Sequence, residues 1–170
     1  MSFNVKQAII DRLRETKREN IEIVIDYMEK HGFFTYHCHS HHRYNGGLAS
    51  HAWQTYQIAL RLEAEYCTKN PNAPKLDIDS IAISALLHDF CDCSGMRHIK
   101  YHGNRSAEML KELGFHLSSD EFFAIRFHMG LDKKKTHPLY NDALNCHLLT
   151  IVDEADKKSA RLRKGYKLKF

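Results

Sequence analysis

The chain has 170 residues, of which 43% are apolar and 27% charged, and its formal charge is +4 with the histidines neutral. These proportions are typical of a single soluble globular domain with a core of its own. The sequence lacks a run of about 18 apolar residues and opens directly into an amphipathic pattern, so we expect neither a membrane span nor a secretory leader. Five cysteines at irregular spacings argue against a disulfide framework and, with the missing leader, predict a cytoplasmic protein.

Almost every periodic segment repeats its apolar residues at the helical spacing of about 3.6, and strand-like alternation is nearly absent. The predicted fold class is therefore all-α, a single helical bundle. The predicted helices cover residues 4–17, 19–31, 48–67, about 77–88, 103–113, 118–130 and 142–158.

Local signals mark several helix ends. Either Asp77 or Asp79 can cap the helix that ends near residue 88. Ser118 and Glu121 have the spacing of a capping box. The polar stretch Leu131–Tyr140 is predicted to be a loop or lid.

We divide the chain into N-terminal helices over residues 1–32, a bundle domain over 33–160 and a basic tail over 161–170. The tail and Lys133–Lys135 would attract anions such as phosphates or nucleic acid without selecting among them, although a merely solvated tail is the favoured interpretation. The N-terminal helices either pack on the bundle or form the contact of a homodimer.

The adjacent pair His88 and Asp89 ends the apolar run that begins at Ile81. A carboxylate beside an imidazole in a segment built for burial needs a partner, because an unpaired buried charge costs more than packing returns. The predicted partner is a metal ion. The chain holds thirteen histidines, of which surface positions without a role account for several.

Three motifs follow one another along the chain: Gly46-Gly-Leu-Ala-Ser-His51, Ala85-Leu-Leu-His-Asp89 and Leu149-Thr-Ile-Val-Asp153. Together they resemble the histidine–aspartate (HD) superfamily of metal-dependent phosphohydrolases, over about residues 33–160. The resemblance implies an all-α HD-type bundle for that domain.

The resemblance also implies a set of metal ligands. One ion would be held by His51, His88, Asp89 and Asp153, and a second by His102 and His128, with Asp89 bridging the two and acting in catalysis. Mixed imidazole and carboxylate ligands suit Fe, Mn, Co, Ni or Zn better than Mg or Ca. The implied reaction is hydrolysis of a phosphomonoester or phosphodiester by metal-activated water.

The chain departs from the family pattern in ways that affect the site. Phe90-Cys91-Asp92 follows the doublet where relatives often carry a small residue and a lysine, so a lysine that could meet substrate phosphate is missing. Asp153 and Asp156 are three residues apart on one helix face. The distance of Asp153 from Leu149 favours it as the distal ligand.

The segment His41-His-Arg-Tyr-Asn-Gly-Gly-Leu48 is similar to the stretch before the first ligand in the family's RNA-trimming branch. We therefore expect the partner to be a phosphorylated small molecule, in particular a nucleotide, or single-stranded RNA or DNA, with other phosphate esters equally open. His42, Arg105 and Lys157 are the candidate phosphate contacts, chosen for charge and for closeness in sequence to the ligands.

Other interpretations stay open at this point. A structural zinc module would use Cys91 and Cys93, whose spacing is tighter than zinc ligands usually show. A nucleophilic Cys91 would need a base beside it, and His88 is already assigned to metal. The alternative of another class is a non-catalytic module that binds a nucleotide or nucleic acid and keeps the bundle and its metal site.

Overall fold

The computed structural model describes residues 3–38, 40–94, 102–131 and 137–162. This part of the chain is built from helices and turns and contains no strand, which confirms the predicted all-α class. The helices are α1 (Val5–Glu15), α2 (Ile21–Lys30), α3 (Gly47–Lys69), α4 (Ile78–Leu87), α5 (His102–Glu112), α6 (Ser119–Phe127), α7 (Tyr140–Leu144) and α8 (His147–Ala160), with a 3₁₀ segment over Phe90–Ser94.

Helix α4 lies at the centre of the bundle. Its residues from Ile81 to Leu87 are all buried, which is the pattern of a helix surrounded by others rather than one lying on a surface. Helices α3, α6 and α8 pack around it, and α8 also packs against both α3 and α6. The carboxylate of Asp77 accepts hydrogen bonds from the backbone N–H groups of Asp79 and Ser80, so Asp77 is the N-cap.

The two N-terminal helices share the same core. Helix α1 packs against α2, α3 and α4, and the side chains of Ile9 and Leu13 are fully buried. The Arg12 guanidinium on α1 donates a hydrogen bond to the hydroxyl of Tyr56 on α3 and pairs with Asp79 on α4. These contacts fix the orientation of α1 relative to the central helices.

The predicted helix over residues 142–158 consists of two helices, which corrects the sequence-based boundary. Helix α7 ends at Leu144, and α8 begins at His147 after an N-cap at Cys146, whose sulfur accepts a hydrogen bond from the backbone N–H of Leu149. The apolar periodicity continues across this break and therefore concealed it. The predicted capping box at Ser118 is confirmed, since its side chain and that of Glu121 bond each other's backbone N–H groups.

Parts of two predicted features lie outside the described residues, namely positions 132–136 of the loop or lid and positions 163–170 of the basic tail. The helices that are described are all too short or too polar to cross a bilayer.

Candidate metal centre

Six side chains from separate parts of the chain meet at one end of the central helix. They come from the start of α3, the residues after α4, the start of α5, the residue after α6 and the last part of α8. These side chains are His51, His88, Asp89, His102, His128 and Asp156. Five of the six were predicted as ligands from the sequence.

His88 and His128 are held in the same way. Each follows the last residue of a helix, and the Nδ1 of each lies close to the carbonyl oxygen three residues earlier, at 2.9 Å from Ala85 O and 2.7 Å from Ile125 O. The last carbonyls of a helix lack partners within it, so each imidazole satisfies one of them by donating Nδ1–H. In the neutral ring the Nε2 atom is then left with a free lone pair.

His51 is fixed by a different acceptor. Its Nδ1 lies 3.0 Å from the hydroxyl oxygen of Ser159 on α8, and that hydroxyl donates to the backbone carbonyl of His51 at 3.3 Å. The Ser159 oxygen is thus an acceptor for Nδ1–H. Consequently the Nε2 of His51 also presents a lone pair to the centre of the cluster.

The first group of ligand atoms surrounds the Nε2 of His51. This atom lies 2.9 Å from Oδ1 of Asp156, 3.2 Å from Nε2 of His88 and 3.7 Å from Oδ2 of Asp89. The Nε2 of His88 lies 3.4 Å from Oδ2 of Asp89. The Nε2 atoms of His51 and His88 therefore each face a carboxylate oxygen of Asp89 and of Asp156.

The second group lies on the other side of Asp89. Its Oδ1 atom is 3.0 Å from Nε2 of His102 and 3.4 Å from Nε2 of His128, and those two nitrogens are 2.9 Å apart. The same Oδ1 is buried and accepts no hydrogen bond of good geometry from the described residues. The carboxylate of Asp89 thus faces one group with each oxygen, and one of its oxygens is left for a cation.

The spacing of these atoms fits metal ligation. Two atoms that each lie about 2.1 Å from one ion are roughly 3.0 Å apart in octahedral and 3.4 Å apart in tetrahedral coordination. The separations just given extend from 2.9 to 3.7 Å. Lone pairs of imidazole nitrogens facing carboxylate oxygens repel one another unless a cation lies between them. The donor set therefore fits divalent transition metals, and the carboxylate of Asp89 would be common to two of them.

Electrostatics in the cluster also favour positive charge. Burial opposes ionisation of His88, but the carboxylates of Asp89 and Asp156 outweigh it and raise its pKa well above the ordinary value. Burial likewise disfavours the charged form of Asp89, yet His88 and His102 hold its pKa well below the ordinary value. The pKa of Asp156 is lowered against burial by the imidazoles of His51 and His88. Both carboxylates are therefore anionic and stabilise bound cations.

The distal aspartate in the cluster is Asp156, whereas the sequence analysis favoured Asp153. The carboxylate of Asp153 pairs with Lys157 at the surface. Residues three apart on a helix differ by about 60° in direction, and α8 turns Asp156 and Ser159 toward His51. Packing of α8 on α3 sets this rotation, which the spacing of the two aspartates could not reveal.

The three candidate phosphate contacts lie in different surroundings. His42 is buried beside His51, with ring centroids 5.2 Å apart. The Arg105 guanidinium donates two hydrogen bonds to the carboxylate of Glu112, and Lys157 is engaged by Asp153. The structure brings His42 to the centre and places the other two in surface ion pairs, so their contact with phosphate stays a prediction.

Two further residues lie beside the centre: His41, which the family resemblance placed near the site together with His42 and Arg43, and Gln54, which had no predicted role. The His41 ring is tilted against that of His51, with centroids 4.4 Å apart. Burial, together with the charge of His51, lowers the pKa of His41 to about 4. Gln54 accepts a hydrogen bond from His42 at 2.7 Å. Its position three residues after His51, one turn along α3, was the sequence signal that could have indicated it.

The cysteines beside the centre belong to the core. Cys38, Cys91 and Cys93 are buried thiols that form no disulfide, and burial raises the pKa of both Cys91 and Cys93 to about 12. A thiol with so high a pKa is a poor nucleophile, and the clusters of potential metal ligands among the described residues contain no cysteine. The sulfurs donate weak hydrogen bonds to backbone carbonyls instead, Cys93 to Phe90 and Cys91 to His102.

An all-α bundle with histidine and aspartate ligands at helix ends defines a class of metal-binding helical domains. The family model of the HD domain matches residues 48–161, about two thirds of the chain. The chain therefore belongs to the HD-domain family, a family typified by metal-dependent phosphohydrolases. No curated protein and no solved structure matches the chain.

Proposed function

We propose that the protein hydrolyses a phosphomonoester or phosphodiester of a nucleotide or short oligonucleotide at a centre of two divalent transition metal ions. The observation that carries the proposal is the position of Asp89, whose Oδ2 faces His51 and His88 and whose Oδ1 faces His102 and His128. A carboxylate shared between two sets of imidazoles is the arrangement that a pair of ions requires.

The chain's own residues prepare this site before substrate arrives. The hydrogen bonds of Nδ1 in His51, His88 and His128 fix the direction of each ring. These three rings and Asp89 are buried, so little water competes for the ligand atoms. When bound, divalent ions at such ligands lower the pKa of a water molecule and neutralise charge on a phosphoryl group.

The surface beside the centre supports a phosphorylated substrate. His41 is partly exposed, and Arg43 is exposed on the same loop. Arg43 would offer a cation on the loop that carries His41 and His42, and guanidinium groups bind phosphate in a bidentate manner. The nucleotide part of the proposal rests on this loop and on the basic residues of the C-terminal tail.

Metal content per chain, measured by elemental analysis of untagged protein, tests the centre. We expect about two equivalents in the wild type and about one in His128→Ala, because only the second group would be lost. His116→Ala, which removes an exposed histidine, is the matched control and should retain both. A wild-type protein that binds no first-row divalent metal stoichiometrically would contradict the proposal.

Release of phosphate from nucleoside monophosphates, and of nucleotides from short RNAs, with Asp89→Ala as the inactive variant, then tests the reaction. The proposed enzyme loses turnover in Asp89→Ala. If the metal-loaded wild type binds these ligands without turnover, the protein is instead the binding module considered from the sequence.

A further inference from the structure

The loop that precedes α3 is held in an unfavourable backbone conformation. His42 has a φ of 44°, in the left-handed region that a side chain with a Cβ rarely adopts. Gly47 lies against it so closely that a Cβ at residue 47 would be 1.8 Å from the carbonyl oxygen of His42. A strained residue locked by close backbone packing is more often found at a functional site than elsewhere.

This backbone places two histidine rings in a hydrogen-bonded chain. The amide oxygen of Gln54 lies 2.7 Å from Nε2 of His42, so that Nε2 donates. The Nδ1 of His42 lies 3.1 Å from Nδ1 of His41. Since a neutral imidazole carries one proton, His42 accepts at Nδ1 and His41 donates there. The remaining nitrogen of His41, its Nε2, therefore carries a lone pair.

These hydrogen bonds lead from buried residues to the partly exposed side of the metal centre, at His41, which we call its mouth. Gln54 and His42 are buried, whereas His41 is partly exposed. The His41 ring is tilted against that of His51, with centroids 4.4 Å apart and an interplanar angle of 51°. A hydrogen-bond acceptor with a fixed direction is thus presented beside the ligand atoms, on the side that solvent can reach.

We propose that Gln54 and His42 orient the His41 ring so that its Nε2 accepts a hydrogen bond from an O–H group at the mouth of the centre. The donor is either the attacking water or a hydroxyl of the substrate. Ionised phosphate oxygens only accept hydrogen bonds and do not suit a lone pair, whereas water and hydroxyl groups do. The inference rests on the proposed function and gives His41 a substrate-facing role, with His42 and Gln54 as positioning residues.

A third metal ion is the competing explanation, because nitrogens of His41, His42 and His51 also lie within reach of one point. Both nitrogens of His42 already have partners in the hydrogen-bonded chain, one in Gln54 and one in His41. The contact between the two Nδ1 atoms is therefore accounted for without an ion.

The tautomers can be read from imidazole ¹⁵N shifts in the metal-free protein, independently of activity. We expect the Nε2–H tautomer for His42 and the Nδ1–H tautomer for His41. Gln54→Leu removes the acceptor and should abolish the preference, while Gln54→Glu keeps an acceptor oxygen and should restore it. The Nδ1–H tautomer at His42 in the wild type would overturn the inference.

Turnover by the metal-loaded enzyme tests the role of His41. We expect His41→Ala and Gln54→Leu to lower kcat by about 10- to 100-fold, the effect of losing one positioned hydrogen bond, with partial rescue in Gln54→Glu. His37→Ala, on the same loop, is the matched control. A loss on para-nitrophenyl phosphate, which has no hydroxyl group, identifies water as the donor, and a loss confined to ribonucleotides relative to 2′-deoxyribonucleotides identifies a substrate hydroxyl.

The outcomes separate this inference from the proposed function. An inactive wild type refutes the proposed function and the inference with it. An active wild type with unchanged kcat in His41→Ala overturns the inference alone. So does the loss of one metal equivalent in His41→Ala, because His41 would then be a ligand.

Discussion

At the buried histidines of the centre, one ring nitrogen is committed to the protein and the other is left for a ligand. In His88 and His128 the committed Nδ1 donates a hydrogen bond to a carbonyl at the end of the preceding helix. In His51 it donates to Ser159 on another helix. The two helix-end histidines therefore need only local structure to be oriented. His51 is oriented only once α3 and α8 have packed together.

The pair of aspartates on α8 provides a matched test at this scale. We expect Asp156→Asn to lose at least one metal equivalent and Asp153→Asn to retain both, because only Asp156 faces His51 and His88. A neutral amide is a much weaker ligand for a divalent ion than a carboxylate. Elemental analysis after dialysis measures the difference, and metal loss in Asp153→Asn alone would contradict the geometry.

At the scale of helices, the approach of α5 to α6 depends on Gly103. A Cβ at this position would lie 2.4 Å from the carbonyl oxygen of Ile125 and 2.9 Å from Nδ1 of His128. The two helices therefore touch beside His102, at the start of α5, and His128, directly after α6. The spacing of His102 and His128 is set by this close contact.

We expect Gly103→Ala to destabilise the metal-free protein by about 1–3 kcal/mol, the usual cost of overpacking. It should also weaken metal binding at the second group, because the methyl group pushes α5 away from His128. Urea unfolding and elemental analysis measure the two effects. Glu108→Ala, at an exposed position of α5, is the control, and equal stability of the two variants would show that the helices can separate freely.

The carboxylate of Glu63 links α3, which carries it, to the segment before α4 and to α8. Its carboxylate accepts hydrogen bonds from the backbone N–H of Leu76 at 2.9 Å and from His147 on α8 at 2.8 Å. Burial disfavours the charged form of Glu63, but these donors outweigh burial and lower its pKa. The ionised carboxylate is therefore bound more favourably in the folded than in the unfolded chain.

The sign of the pH dependence follows from that lowered pKa. The contribution of Glu63 to stability is fully present above the unfolded pKa of about 4.3 and is lost as the pH falls through the lower folded value. We expect Glu63→Gln to reduce the free energy of unfolding by about 1–3 kcal/mol at neutral pH. The difference should shrink in acid. Glu65→Gln, exposed on the same helix, is the control, and a difference that grows in acid would contradict this account.

For the whole molecule, metal binding and folding should be coupled. The ligands come from α3, the residues after α4, α5, the residue after α6 and α8. An unfolded chain does not bring them together, so ions bind the folded state selectively. Each ion then stabilises the fold by about 2.7 kcal/mol when its free concentration is a hundred times Kd.

We therefore expect a chelator to lower the unfolding midpoint of the wild type and of His116→Ala, and to have a smaller effect on Asp156→Asn. Urea unfolding with and without chelator measures these differences. Equal midpoints for metal-loaded and chelated wild type would show that the cluster binds no ion tightly.

Three kinds of feature could be predicted from the sequence alone: the helical class, the cap at Ser118 and five of the six residues in the cluster. Helical periodicity and capping are local properties, and the pair His88 and Asp89 stands out because it ends a run built for burial. These features depend on neighbours in the chain. For that reason they could be predicted before any packing was known.

The packing of the helices was needed to show which aspartate of α8 enters the cluster and how the histidines of the loop before α3 are arranged. Asp153 and Asp156 differ by a small rotation about one helix, and that rotation is set by packing of α8 on α3. The physical reason is the same in each case: side-chain direction depends on contacts between elements, which the order of residues along one element does not specify.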